Sequence, residues 1–147
     1  MPKVLIDYYS RTGNTGKMAE ATAEGARSVQ GVTVELKYYI TPEELVDFDA
    51  VVVGIPTYHH DMTVDMKNLF EAAAVKNISL KGKFGAAFGS YGWRGEAPRL
   101  VLEIMKNKFE MDVIESPLLI KYTPDQAGLE KCRQFGKEIS EKLMLQT

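Results

Sequence analysis

Hydroxyl side chains cluster in the segment SRTGNT, from Ser10 to Thr15, between an apolar run and an alanine-rich helical pattern. A helix that begins near Asn14 leaves its first backbone N–H groups without helical partners and carries partial positive charge there. Gly13 allows the backbone to approach a ligand closely, and short polar donors are contributed by Ser10, Thr12, Asn14 and Thr15. This combination favours a bound phosphate, although a well-capped turn from strand to helix is the alternative. The segment lacks the lysine that a nucleoside-triphosphate loop requires.

The segment GIPTYHHDM, residues 54–62, follows the most apolar strand-like run of the chain. Pro56 ends that run, while Thr57 offers a hydroxyl group and Tyr58 a flat ring. His59 and His60 are the only histidines, and adjacent side chains on an extended chain point in different directions. We therefore predict no metal site here, and expect the histidines to be exposed or to hydrogen-bond a ligand ring.

The segment GSYGWRGEA, residues 89–97, combines three glycines with Ser90, Tyr91 and the only tryptophan, Trp93. A glycine-rich loop around Gly92 presents its aromatic side chains outward, although packing within the loop is an alternative. Planar side chains on two loops beside a phosphate-binding turn suit a stacked aromatic ring. Together the three segments predict a site for a flat mononucleotide.

Alternating strands and helices must position these segments. Five strand-like runs are predicted, at Lys3–Tyr9, Val32–Tyr39, Phe48–Gly54, Phe84–Gly89 and, interrupted by Ser116 and Pro117, Met111–Lys121. Helical spacing of apolar residues lies between them and in the tail, where a stripe includes Cys132 as a core residue. This alternation predicts an α/β fold, a doubly wound five-stranded parallel sheet in three layers. The loops after strands one, three and four then converge on one edge, where such sheets bind ligands.

Composition sets the outer limits of the interpretation. The 147 residues, 45% of them hydrophobic, suit one globular domain spanning residues 1–147. A net charge of −2 favours neither nucleic acid nor membrane surfaces, and no apolar run approaches the ~20 residues of a membrane span. No basic leader precedes the first apolar run, so a cytoplasmic location is expected. One cysteine excludes an internal disulfide.

The three segments resemble those of the flavodoxins. Residues Ser10, Arg11, Thr12, Gly13, Asn14 and Thr15 match the T/S-x-T-G-x-T phosphate turn of that family. The segments GIPTYHHD, GSYGWRGEA and KYTPDQAGLEKCRQFG are more similar still to the flavodoxin domain of flavodiiron proteins. Since no insertion splits the fifth strand, the chain resembles the short-chain type.

The resemblance implies a strand order of 2-1-3-4-5 and one tightly but noncovalently bound FMN. The residues that would bind it are Ser10, Arg11, Thr12, Gly13, Asn14, Thr15, Pro56, Thr57, Tyr58, His59, His60, Ser90, Tyr91, Gly92 and Trp93. It further implies a low-potential electron carrier, not an enzyme, that docks redox proteins (a reductase and an acceptor) at the exposed flavin edge. A monomer or weak dimer is expected.

Two other functions are compatible with this fold. The first is an NAD(P)H-dependent FMN or quinone reductase. Aromatic side chains on both sides of the ring argue against the nicotinamide pocket that such an enzyme needs, but Arg94 near the ring keeps this alternative open. The second is a phosphoacceptor receiver domain, suggested by Asp7 and Asp49. A phosphoacceptor should lie at the carboxyl end of the central strand, and Gly54-Ile55-Pro56 offers no aspartate there.

Overall fold

A parallel β-sheet flanked by helices forms the molecule in the computed structural model, which describes residues 2–9, 13–38, 40–56, 64–91, 96–121 and 123–146. The strands are β1 (Lys3–Tyr8), β2 (Thr33–Tyr38), β3 (Ala50–Gly54), β4 (Phe84–Tyr91), β5 (Asp112–Val113) and β6 (Leu118–Lys121). The helices are α1 (Asn14–Arg27), α2 (Val64–Val75), α3 (Glu96–Asn107) and α4 (Gln126–Met144), and a 3₁₀ helix spans Pro42–Asp47. In the part of the chain described, no helix has both the length and the apolar composition to cross a membrane.

The strand order is β2-β1-β3-β4-β5, and β6 also pairs with β4, which confirms the predicted order 2-1-3-4-5. Every strand pair is parallel. The predicted fifth strand is two short strands in succession along one edge. β5 pairs with the start of β4 and β6 with its end. Pro117 lies between them and has no backbone N–H to donate to the sheet.

Both faces of the sheet are covered, which confirms the three-layer prediction. Alternate residues of β3 show this division, since Val51 and Val53 enter one core and Val52 the other. Side chains of α2 and α3 complete the first core, and side chains of α1 and α4 complete the second. Cys132 is buried in the second core, as its position in the apolar stripe predicts.

Several strand boundaries differ from the predictions. β2 begins at Thr33, one residue later than predicted. β1 ends at Tyr8, one residue early, and β3 begins at Ala50 because the 3₁₀ helix and a buried Phe48 precede it. β4 continues past Gly89 to Tyr91, because β6 provides paired residues for its last two positions. Ser90 and Tyr91 therefore lie on a strand and not in the loop that the glycines predict.

Candidate functional site

The amino end of α1 has the composition expected of an anion site. The helix begins at Asn14, as predicted, and its N-cap residue, Gly13, has no side chain that could cap the first turn. No acidic residue occurs in that turn, so the positive end of the helix is not offset by a carboxylate there. Gly13 has φ +87°, and apart from its own neighbours in the chain no atom of the described residues would lie within 4 Å of a Cβ atom at this position. The positive φ therefore favours glycine at position 13. This reason adds to the one predicted from the sequence, the close approach of the backbone to a ligand.

We expect Gly13→Ala to lower the free energy of unfolding by about 1 kcal/mol, because alanine is strained at positive φ. The same strain should move the turn and weaken FMN binding severalfold. Denaturant unfolding and fluorescence titration with FMN measure the two effects. Gly82→Ala is the matched control, since Gly82 also has a positive φ, +82°, and lies at the opposite end of the sheet. Apart from its chain neighbours, no atom of the part of the chain that the structure describes would lie within 4 Å of its Cβ. It should lose similar stability and retain FMN affinity, and equal losses of affinity in both variants would contradict the assignment.

Two buried hydroxyl groups connect α1 to the end of β4. Thr15 Oγ1 lies 3.4 Å from Ser90 Oγ, and the two residues are 1% and 7% exposed. They are 75 positions apart in the chain, so the fold itself brings the first and third sequence segments together. The pair supplies two polar groups at the boundary between the first turn of α1 and the last residues of β4.

The carboxyl ends of the three central strands meet at this edge. Tyr9 N–H donates to Gly54 O at 2.9 Å, and Ile55 N–H donates to Phe88 O at 3.1 Å. A Cβ atom at Gly89 would lie 2.0 Å from Ile55 O, so glycine permits this close approach of backbones. Pro56 and the half-buried Tyr91 follow directly, and the structure thus places both on the predicted edge.

Part of the predicted site lies outside the described residues. These positions are Ser10, Arg11, Thr12, Thr57, Tyr58, His59, His60, Gly92 and Trp93, together with Arg94. Their contacts with a ligand stay predictions. Among the residues that the structure does describe, no group of three or more histidine, cysteine, aspartate or glutamate side chains is arranged to bind a metal ion.

Asp7 is a buried acid whose role the sequence does not predict. It is 0% exposed, and neither carboxylate oxygen has a hydrogen-bond partner of normal geometry among the described residues. Burial raises the pKa of Asp7 to about 7, the negative charge of Glu44 adds to this effect, and the nearby Tyr9 hydroxyl opposes it. Burial and the adjacent carboxylate raise the pKa of Tyr9 well above its usual range. The only signal in the sequence is an aspartate within an otherwise apolar strand.

The described residues fit a ligand that carries a phosphate and a flat ring. The first turn of α1, which begins at Asn14, offers backbone N–H groups and the Thr15 hydroxyl without an acidic side chain, which suits a phosphate. Ser90 and Tyr91 extend the site along the end of β4, where a ring would lie beside them. A phosphoacceptor should face solvent at the carboxyl end of the central strand. Asp7 instead lies in β1 and is buried.

Comparisons with known proteins agree with this arrangement. The family model described as flavodoxin matches residues 6–136. The chain is 34% identical to a flavodoxin of Aquifex aeolicus over 96% of this chain and 86% of that protein. It is 37% identical to the type A flavoprotein fprA of Rhodobacter capsulatus over 95% of this chain, but it spans only 33% of that relative.

Solved structures show the same similarity. A flavodoxin from the domain Archaea superimposes with a TM-score of 0.88 at 36% identity, covering 97% of this chain and 99% of that one. The sheet order and the α1 turn described above are thus accompanied by sequence identity along nearly the whole chain. The chain belongs to the flavodoxin family, whose members bind FMN.

Proposed function

We propose that this protein carries electrons between redox proteins through one noncovalently bound FMN and is not itself an enzyme. The proposal rests on the Thr15–Ser90 contact, which joins the predicted phosphate turn to the predicted ring-binding strand. Similarity to a flavodoxin of comparable length supports the carrier function. Because the chain spans about a third of fprA, nothing of that protein's activity is assigned to it.

The proposed division of labour follows the three segments. The α1 turn, from Ser10 to Thr15, would bind the phosphate through backbone N–H groups and hydroxyls. Pro56 to His60 and Ser90 to Trp93 would border the ring on its two sides. FMN, when bound, supplies the electron-transfer chemistry, while the chain sets access and electrostatic environment. A reductase and an acceptor protein would dock where the ring edge meets solvent.

Anaerobic reduction of the purified protein tests this function. A carrier should show the visible absorption of bound flavin and should be reduced slowly by NADPH alone. Catalytic amounts of a flavodoxin reductase should accelerate the reduction, and the reduced protein should then pass electrons to cytochrome c. Rapid bleaching by NADPH without any partner would instead identify a reductase, and a colourless protein that rejects added FMN would exclude both functions.

The Thr15 hydroxyl offers a direct test of the proposed site. We expect Thr15→Val to raise the dissociation constant of FMN at least tenfold, since a lost hydrogen bond to a charged group costs about 1.5–3 kcal/mol. Thr22→Val is the matched control, because Thr22 is equally buried in α1 but donates its hydroxyl to Met18 O at 2.8 Å. Fluorescence titration should find the control within twofold of the parent. Equal affinities for the two variants would remove Thr15 from the site.

A further inference from the structure

Asp7 and Tyr9 form a buried polar pair, here called the Asp7–Tyr9 pair, just before the α1 turn. Tyr9 follows the last residue of β1, lies on the same side of the sheet as Asp7 and is 2% exposed. The Tyr9 hydroxyl lies close enough to the Asp7 carboxyl group to lower its pKa, and the backbone N–H of Ile40 interacts with the same hydroxyl. The Asp7 oxygens nevertheless lack a partner of normal hydrogen-bond geometry among the described residues. A carboxyl group in such surroundings is a candidate to hold a proton.

The charged groups around the pair do not offset a negative charge on Asp7. From β2, Lys37 lies opposite Asp7 in register, but its ammonium group is 3.0 Å from the Glu44 carboxylate of the 3₁₀ helix. Glu44 acts on Asp7, and Asp65 at the start of α2 acts on Tyr9, in both cases by adding negative potential. From β3, the residue opposite Asp7 is the apolar Val53.

We propose that Asp7 is a proton-binding site coupled to the cofactor, which takes up a proton when the negative charge of FMN is bound at the edge above it. Tyr9 is a positioning residue that directs its hydroxyl toward the Asp7 carboxyl group. The inference rests on FMN binding at the carboxyl edge of the sheet, as proposed above.

Electrostatic repulsion supplies the coupling. Asp7 is the fifth of six residues in β1, which runs toward the α1 turn that would hold the phosphate. Two like charges about 10 Å apart at an effective dielectric of about 20 repel enough to change an equilibrium constant roughly tenfold. Coupling between two sites is reciprocal, so FMN binding favours protonated Asp7 and ionised Asp7 weakens FMN binding. The ionisation of Asp7 falls near neutral pH, where this effect can be measured.

Calorimetric titration of the apo-protein with FMN tests the proposal. Titrations at several pH values between 6.5 and 8.5, each in two buffers of different ionisation enthalpy, give the affinity and the number of protons taken up. Across this range the dissociation constant of the parent should rise roughly tenfold more than that of Asp7→Asn. Parent protein should also take up more protons per FMN than this variant. The phosphate of FMN ionises alike in both proteins, so the difference reports Asp7.

Two further variants make the outcome decisive. Asp112→Asn removes an exposed carboxylate at the opposite edge of the sheet and should match the parent in both measurements. Tyr9→Phe removes a hydroxyl group that lowers the pKa of Asp7, so its proton-uptake profile should move to higher pH. Tyr9→Phe also provides the test if Asp7→Asn does not fold.

The outcomes separate this inference from the proposed function. FMN binding with equal proton uptake in the parent and Asp7→Asn, or an unmoved profile in Tyr9→Phe, would overturn the coupling and leave the carrier function intact. Failure of the folded parent to bind FMN at any pH would overturn both. Direct observation of the Asp7 carboxyl carbon by NMR in the parent, with and without FMN, should show its pKa higher in the complex.

Discussion

Gly136→Ala should destabilise the protein by about 3 kcal/mol, near the upper end of the typical cost of overpacking. A Cβ atom on Gly136 of α4 would lie 2.0 Å from Thr22 O and 2.9 Å from Ala26 N, both backbone atoms of α1. The contact is reciprocal, because a Cβ atom on Gly25 of α1 would lie 1.8 Å from Arg133 O of α4. Backbone atoms cannot swing away as a side chain can, so the two helices would have to separate.

Denaturant unfolding of the apo-protein measures this effect, and Gly16→Ala serves as the control. Gly16, like Gly136, lies within a helix, here α1. A Cβ atom at Gly16 would lie 3.4 Å from a ring carbon of Tyr8, which is an ordinary contact distance. Since alanine is a better helix former by up to about 1 kcal/mol, Gly16→Ala should be neutral or stabilising. Unchanged unfolding of Gly136→Ala would mean that α1 and α4 are not packed as described.

Separation of α1 and α4 should also reach the candidate site. Ser140 Oγ of α4 donates to Ala26 O of α1 at 3.0 Å, which fixes the two helices at the end remote from the turn. Movement of α1 would carry Thr15 away from Ser90. We therefore expect the folded fraction of Gly136→Ala to bind FMN more weakly than Gly16→Ala does.

Regular periodicity made much of the fold predictable. The stripe of Cys132, Phe135 and Ile139 recurs at steps of three and four, and all three side chains are buried on one face of α4. The continuous apolar run that ends at Gly54 likewise predicts a strand covered on both sides, and every residue of β3 is buried. In these elements the local spacing of apolar residues correctly predicts which side chains the tertiary structure buries.

The remaining features depend on contacts between distant parts of the chain. A glycine inside a helix is locally unfavourable, and nothing near Gly136 in the sequence shows that its partner is the backbone of α1. The length of β4 is set by β6, whose Lys121 pairs with Tyr91. Glycine-rich sequence around Gly92 favours a loop locally, and this tertiary pairing overrides that preference for the two preceding residues.

The candidate site was predictable as an edge but not in its atomic contacts. The rule that ligand loops converge at the carboxyl ends of parallel strands brings the segments of Thr15 and Ser90 together. Their hydroxyl contact depends on side-chain orientation, which the sequence pattern does not specify. Similarly, the Glu44 carboxylate that acts on Asp7 belongs to the 3₁₀ helix, which was not predicted.

Asp7→Asn should stabilise the apo-protein at pH 8 and leave its stability little changed at pH 4. The folded protein raises the pKa of Asp7 from 3.8 to about 7, so between these values the native state binds more protons than the unfolded chain. Stability contributed by this group is therefore fully present below about pH 4 and is lost as the pH rises through about 7. A shift of about three units corresponds to about 4 kcal/mol, the upper limit of the gain expected from the variant at pH 8.

Free energies of unfolding between pH 4 and 8 measure this effect for the parent, Asp7→Asn and Asp112→Asn. The parent and the Asp112→Asn control should lose stability relative to Asp7→Asn as the pH rises, because both retain the buried acid. Parallel profiles for all three proteins would show that Asp7 ionises at its ordinary pKa in a solvated setting. A difference that opens between pH 4 and 7 would instead mean that the chain retains a destabilising acid at neutral pH. Such a cost is understandable if the proton on Asp7 participates in binding the negatively charged cofactor, and apo-protein stability measures the cost without FMN present.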